Sequence, residues 1–166
     1  IGYPKFDLYK KNQKSKYSLF KEKRKTILYN PHWNKNISSW YEWGKTILDF
    51  FSKSAKYNLV FAPHILIKEW KQRRLTLKDY SKHDNIYVDL ESHQLIDMTY
   101  TIMADVYLGD VSSQVFEFIL KPRPCLFLNA KNLIRTNELE FPQWDFGEVI
   151  TDINDFSLKI DSVIKE

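Results

Sequence analysis

One cysteine in 166 residues leaves an internal disulfide with nothing to join. Cys125 sits inside the apolar run "CLFLN", so it reads as a buried core residue, with a reactive thiol as the less economical alternative. No apolar run is long enough to cross a bilayer, and the start lacks the charged-then-apolar order of a signal peptide. Both absences lead us to expect a cytoplasmic protein. Zinc-ligand spacing, an RNA-binding aromatic signature and a helix-turn-helix pattern are missing too, which argues against a metal centre and against nucleic acid as a partner. Nor does any motif call for a cofactor. The chain opens "IGYPKFD" without a methionine and reaches its first strand-like run only at Thr26, as expected of a domain excised from a larger protein with an N-terminal domain missing.

What is present is unevenly distributed. The net charge of +4 comes from the first 25 residues, where nine Lys and Arg face only Asp7 and Glu22; residues 26–166 carry 16 basic and 19 acidic side chains. The body is therefore mildly acidic, and residues 1–25 read as a basic interdomain linker or helix. With Tyr17 and Phe20 interleaved, that segment is also suited to peripheral contact with anionic lipid on the inner face of a membrane.

From Thr26 onward short apolar runs alternate with longer helical patterns. "TILYN", "NLVFAP", "NIYVDL", "DVYLGD", "CLFLN" and "EVITD" read as strands. Helical spacing marks "SWYEWGKTILDFFSKSA", with Trp40, Trp43, Ile47 and Phe50 or Phe51 near one face, then Ile65 to Tyr80, "SHQLIDMTYTIMA", and a terminal helix from Ile153 to Lys165. Such alternation predicts an α/β domain over residues 26–166 with a doubly wound, Rossmann-like parallel sheet. Ligands of such sheets lie beyond the carboxyl ends of the strands. That places the informative residues in "NPHW", "APH" and "GDVSS".

A helix opening at Ser112 or Ser113 presents unpaired N–H groups, two hydroxyls and a favourable dipole, a ready phosphate site, with Gly109 expected to allow a tight turn. Serine is also a common helix cap, so this motif alone does not separate the two roles. Glu117 follows four residues after Ser113 on an otherwise apolar helix, where a carboxylate needs a partner. A ribose diol or a salt bridge, for instance with Arg123, would serve equally. His32 and His64 each follow a proline at a strand's carboxyl end, within reach of a ligand; His83 and His93 read as surface or capping residues.

"ADVYLGDVSSQVFEFILKPRPCLFLN" resembles the "ADxxITDYSSxxFDFxxLxKPxxFY" pattern of the C-terminal domain of CDP-glycerol glycerophosphotransferases, the teichoic-acid and capsule polymerase family. "GYPKFD" is similar to that family's interdomain linker, "ILYNPHW" to its "ILYAPTWR", and "NLVFAPH" to its "KPHP" segment, all in the family's order. The resemblance implies the donor-nucleotide-binding C-terminal half of a GT-B glycosyltransferase-like transferase, working in cell-surface polysaccharide or teichoic-acid-like polymer synthesis. It implies donor phosphate contacts for Ser112, Ser113 and Asp110, a ribose contact for Glu117, and a catalytic role for His64, with His32 as a second candidate. Implied partners are a nucleotide-diphosphate donor, either CDP-glycerol or a nucleotide-sugar, and a polysaccharide or polyol-phosphate acceptor. The acceptor's general base would lie in the missing half, so this chain alone should bind nucleotide without turning it over.

Departures from the pattern keep the donor open. The arginine of "PTWR" is Asn34 and the lysine of "KPHP" is Ala62, while His32 replaces a threonine. His32 is the candidate for the missing polar chemistry, and Lys68, Arg73 or Arg74 for the missing charge. A sugar-nucleotide 2-epimerase-like domain and a non-catalytic interaction domain remain as alternatives.

Overall fold

The structure is a computed structural model that describes residues 5–12, 18–67 and 77–165. The expected helix from Ile65 to Tyr80, with Lys68, Arg73 and Arg74, falls mostly outside these residues. A short helix α1 (Lys5–Asn12) precedes strand β1 (Lys25–Asn30). Then follow α2 (Trp40–Lys53), β2 (Tyr57–Phe61), β3 (Ile86–Val88), α3 (Thr99–Met103) and β4 (Val106–Gly109). The chain continues through α4 (Gln114–Phe118), β5 (Cys125–Leu128), β6 (Glu148–Ile150) and α5 (Phe156–Val163).

All six strands lie in one sheet of order β3-β2-β1-β4-β5-β6, and every neighbouring pair is parallel. This is the doubly wound, Rossmann-like order read from the alternation of runs. Parallel strands cannot be joined by tight hairpins, so helices return the chain across the faces and bury the sheet on both sides. Alternate residues of one strand consequently enter different cores. Ile27 and Tyr29 pack with Ile47, Phe51, Phe156 and Ile160 on one face, and Leu28 packs with Tyr107, Val115, Phe118 and Phe127 on the other. Cys125 belongs to the second core, where burial pushes its thiol up to about 12.

Two local expectations are corrected. "SHQLIDMTYTIMA" forms not one helix but a 3-10 turn, His93–Leu95, followed by α3. Met98 between them adopts φ 68, and each piece is capped separately: Ser92 Oγ accepts from Gln94 N, and Asp97 Oδ1 from Thr99 N. Polar side chains that bond nearby N–H groups stop one helix and start another. Gly109 is likewise not a positive-φ turn. A Cβ there would stand 2.6 Å from the Asn30 carbonyl oxygen, so glycine is needed for the close approach of β1 and β4.

Arg123 fastens the helices of the second core. Its guanidinium donates to the carbonyls of Thr101, Ile102 and Ala104 at the end of α3 and to Phe118 at the end of α4, and it lies 3.9 Å from the centroid of the Phe118 ring. Carbonyls at helix ends otherwise lack partners. Arg123→Met keeps much of the packing and removes these donors, so we expect a loss of roughly 1.5–3 kcal/mol in urea unfolding at unchanged m. A loss within error would show that water replaces the guanidinium at both helix ends.

Candidate functional site

The strand order reverses between β1 and β4, so the loops leaving these two strands diverge and open a crevice at their carboxyl ends. Two polar residues at strand ends lie there, Asn30 of β1 and Asp110 just after β4. Asn30 closes β1, is only 1% exposed, and donates from Nδ2 to the Ala62 carbonyl at 2.6 Å while its Oδ1 accepts from the Tyr107 hydroxyl at 3.3 Å. Backbone bonds from Ala62 N to Tyr29 O and from His64 N to Pro31 O complete the connection. The loops after β1 and β2 are thereby held as one piece.

That connection brings the two sequence-expected histidines together. The rings of His32 and His64 have centroids 5.9 Å apart, and Trp33, 44% exposed, lies 5.4 Å from the first and 6.4 Å from the second. His32 Nδ1 accepts from Asn34 N at 3.0 Å and His64 Nδ1 from Leu66 N at 3.2 Å. A ring nitrogen that accepts carries no hydrogen, so in both neutral rings the hydrogen sits on Nε2. Burial and, behind it, the proximity of His64 lower His32 to about 4; burial also lowers His64. At neutral pH the pair is therefore two uncharged Nε2–H donors.

Asp110 follows β4 and is 1% exposed. Its Oδ2 accepts from His32 N at 2.8 Å, and both carboxylate oxygens accept from Ser39 N at 3.0 Å. Burial raises it to about 7 against the downward pull of the His32 and Ser39 hydrogen bonds. Its oxygens face backbone of the β1–α2 loop, which makes it the residue that positions His32. Ser112 is 5% exposed and accepts from Gln114 N at 3.3 Å, whereas Ser113, the residue capping α4, is exposed and makes no side-chain cap bond. Only Ser113 thus offers its hydroxyl at the surface.

Glu117 is 3% exposed. The salt bridge weighed for it exists, but with Lys5 and not Arg123: Lys5 Nζ lies 2.8 Å from Oε1. Arg123 is spent on helix ends. Sequence inspection missed both Asn30 and Lys5; a polar residue closing an otherwise apolar strand was the available signal for the first, and nothing local pointed to the second. Among the described residues no group of three or more His, Cys, Asp or Glu is placed to hold a metal ion.

The histidine pair yields a testable titration. Because its folded pKa lies below the unfolded value near 6.5, His32 supports the fold most fully above pH 6.5, and that support is lost as pH falls towards about 4. The ring C–H resonances of His32 should titrate near that lower value in NMR, and His64→Ala should move the midpoint upward by removing a neighbouring charge and exposing the ring. A His32 midpoint near 6.5 in the unmutated protein would contradict the packed pair.

The family model of CDP-Glycerol:Poly(glycerophosphate) glycerophosphotransferase matches residues 1–166. The teichoic acid poly(glycerol phosphate) polymerase of Bacillus spizizenii is 33% identical over 141 residues, covering 76% of this chain and 33% of that protein. Among solved structures, a variant of the wall teichoic acid polymerase TagF superposes with a TM-score of 0.70 at 17% identity, covering 99% of this chain and 43% of that one. A TagF variant soaked with CDPG gives 0.67 at 18% identity with the same coverages. At such identities the likeness speaks for the fold. The chain spans about a third of the curated relative and under half of the solved polymerases.

Proposed function

Since the chain belongs to the CDP-glycerol glycerophosphotransferase family, we propose that it is the donor-nucleotide-binding part of a transferase that builds a teichoic-acid-like polymer. The observation that carries this proposal is the pairing of His32 and His64 at the strand-order reversal, beside the helix start at Ser112 and Ser113. A diphosphate lying there meets two imidazole N–H donors and the exposed Ser113 hydroxyl.

In the proposed reaction an acceptor hydroxyl attacks the phosphorus that bears the glycerol. The bond from that phosphorus to the bridging oxygen breaks, and cytidine monophosphate leaves with the bonding electrons. Neutral Nε2–H donors stabilise charge on the departing oxygens without giving up a proton. The acceptor's proton passes to a base that we assign to the part of the full protein outside this chain. Glu117 takes the donor's ribose hydroxyls, and the basic segment 1–25 keeps the assembly near an anionic membrane surface on the cytoplasmic side. Among the described residues no helix is long and apolar enough to cross a membrane.

Calorimetry on this chain tests the donor site. Ser112→Ala with Ser113→Ala should weaken cytidine diphosphate about tenfold and leave cytidine almost unchanged, because only phosphate contacts are lost. Equal weakening of both, or no binding of cytidine, uridine or their diphosphates at all, would reject the assignment. In the full-length enzyme, His64→Ala should lower turnover with glycerol-bearing donor while the melting temperature changes little. An unchanged rate would remove His64 from the mechanism.

A further inference from the structure

At the amino ends of the strands, away from the crevice, the irregular stretch 18–24 borders a cavity of about 350 Å³ with β1, β2 and the end of α3. Its floor is made by Asn58, 2% exposed, and the buried Thr26, which are register partners in β2 and β1. Its rim carries Lys21, Lys23 and Arg24 against one carboxylate, Glu22. Lys21 lies 3.8 Å from Asp84, and the neighbouring Asp105 is occupied by Lys25 and by Thr26 N. Among the described residues no carboxylate pairs with Lys23 or Arg24, so the rim keeps a positive charge.

The floor holds an unmatched polar atom. Asn58 Nδ2 donates to Glu22 O at 3.0 Å, which fixes the orientation of the amide, and Asn58 Oδ1 is left without a hydrogen-bond partner. A buried acceptor without a donor is costly, so this position calls for a donor from outside the chain. The cationic rim repels an ammonium and attracts an anion, which leaves a hydroxyl on a negatively charged molecule as the fitting donor. Leu19, Phe20 and Met103 line the cavity as well, and they suit a short carbon skeleton between the two groups.

We propose that this cavity binds a polyol phosphate, with the phosphate on Lys23 and Arg24 and a hydroxyl donating to Asn58 Oδ1. A glycerol phosphate unit, free or in a polymer, and the headgroup of a glycerol-bearing anionic lipid present the same chemistry. Residues 18–24 form neither helix nor strand, so the rim can part to admit the hydroxyl while the sheet stays in place. Because the site lies at the opposite strand ends from His32 and His64, it does not compete with a ligand in the crevice and does not rest on the donor reading.

The test is an NMR titration of this chain with glycerol phosphate and with propyl phosphate, which has the same charge and no hydroxyl. Glycerol phosphate should shift the Asn58 side-chain amide signals, leave the His32 and His64 ring signals in place, and bind about fivefold tighter than propyl phosphate. Lys23→Gln with Arg24→Gln should weaken it about tenfold. Equal binding of the two esters, or shifts confined to the histidine rings, would overturn the proposal. Co-sedimentation with vesicles of phosphatidylglycerol or, at equal charge, phosphatidylserine separates the sources. A preference for phosphatidylglycerol that the double variant loses assigns the lipid headgroup; binding of glycerol phosphate without that preference assigns the free or polymeric ester. Equal sedimentation with both lipids and no binding of glycerol phosphate would reject the cavity, leaving only a general attraction of the basic segment to anionic surfaces. Should the double variant fail to fold, the comparison of the two esters on the unmutated chain decides alone.

Discussion

The crevice depends on one buried carboxylate. Asp110 reaches from the end of β4 across to β1's loop and takes the N–H groups of His32 and Ser39, the residue before α2. Ser39 in turn shares a hydrogen bond of 3.0 Å with the Tyr29 hydroxyl inside the core. One side chain thereby sets where β1 ends, where α2 begins and where His32 sits. Sheet hydrogen bonds fix the strands but leave the loops beyond them unconstrained; Asp110 extends the order of the sheet one loop further. The burial that pushes its pKa up shows the electrostatic cost of that arrangement.

Charge is handled differently at the histidine pair and at Glu117. Around His32 and His64 the donors are neutral, with no cation in the positions where the family pattern carries an arginine and a lysine. At Glu117 a buried carboxylate is paired with a partly exposed ammonium, that of Lys5. Neutral donors act through hydrogen-bond geometry more than through field strength, so what they can hold depends on how well they are positioned in advance. The Nδ1 bonds to Asn34 N and Leu66 N supply that hold by fixing each ring's tautomer.

Much of this was legible in the amino-acid sequence because parallel strands are buried on both faces and read as continuous apolar runs. "TILYN" and "NLVFAP" therefore marked β1 and β2, and with them the strand ends where His32 and His64 stand. The rest depended on long-range contacts. Met98 lies at an apolar position of helical spacing, yet the caps at Ser92 and Asp97 break the helix around it. Gly109 signalled a special backbone site, but the reason, the Asn30 carbonyl of another strand, is not local. The ionic partner of Glu117 could not be identified from its neighbours, since spacing along one helix says nothing of a lysine 112 residues away.

The bonding of the β1 and β2 loops to each other carries an implication for how such a site diversifies. With Asn30 bonded to Ala62 O and His64 N to Pro31 O, an insertion in either loop would pull its partner out of register. Change here is channelled into swapping side chains on a fixed backbone, as where histidine at position 32 occupies a threonine's place. The long β5–β6 connection is tied at its start, where Asn129 N donates to Ile150 O, but its middle, with Ile134 80% and Leu139 90% exposed, lies at the surface, where length varies most easily. Side-chain chemistry at the histidine pair and loop length beyond β5 can thus be altered by different parts of the domain, each without disturbing the other.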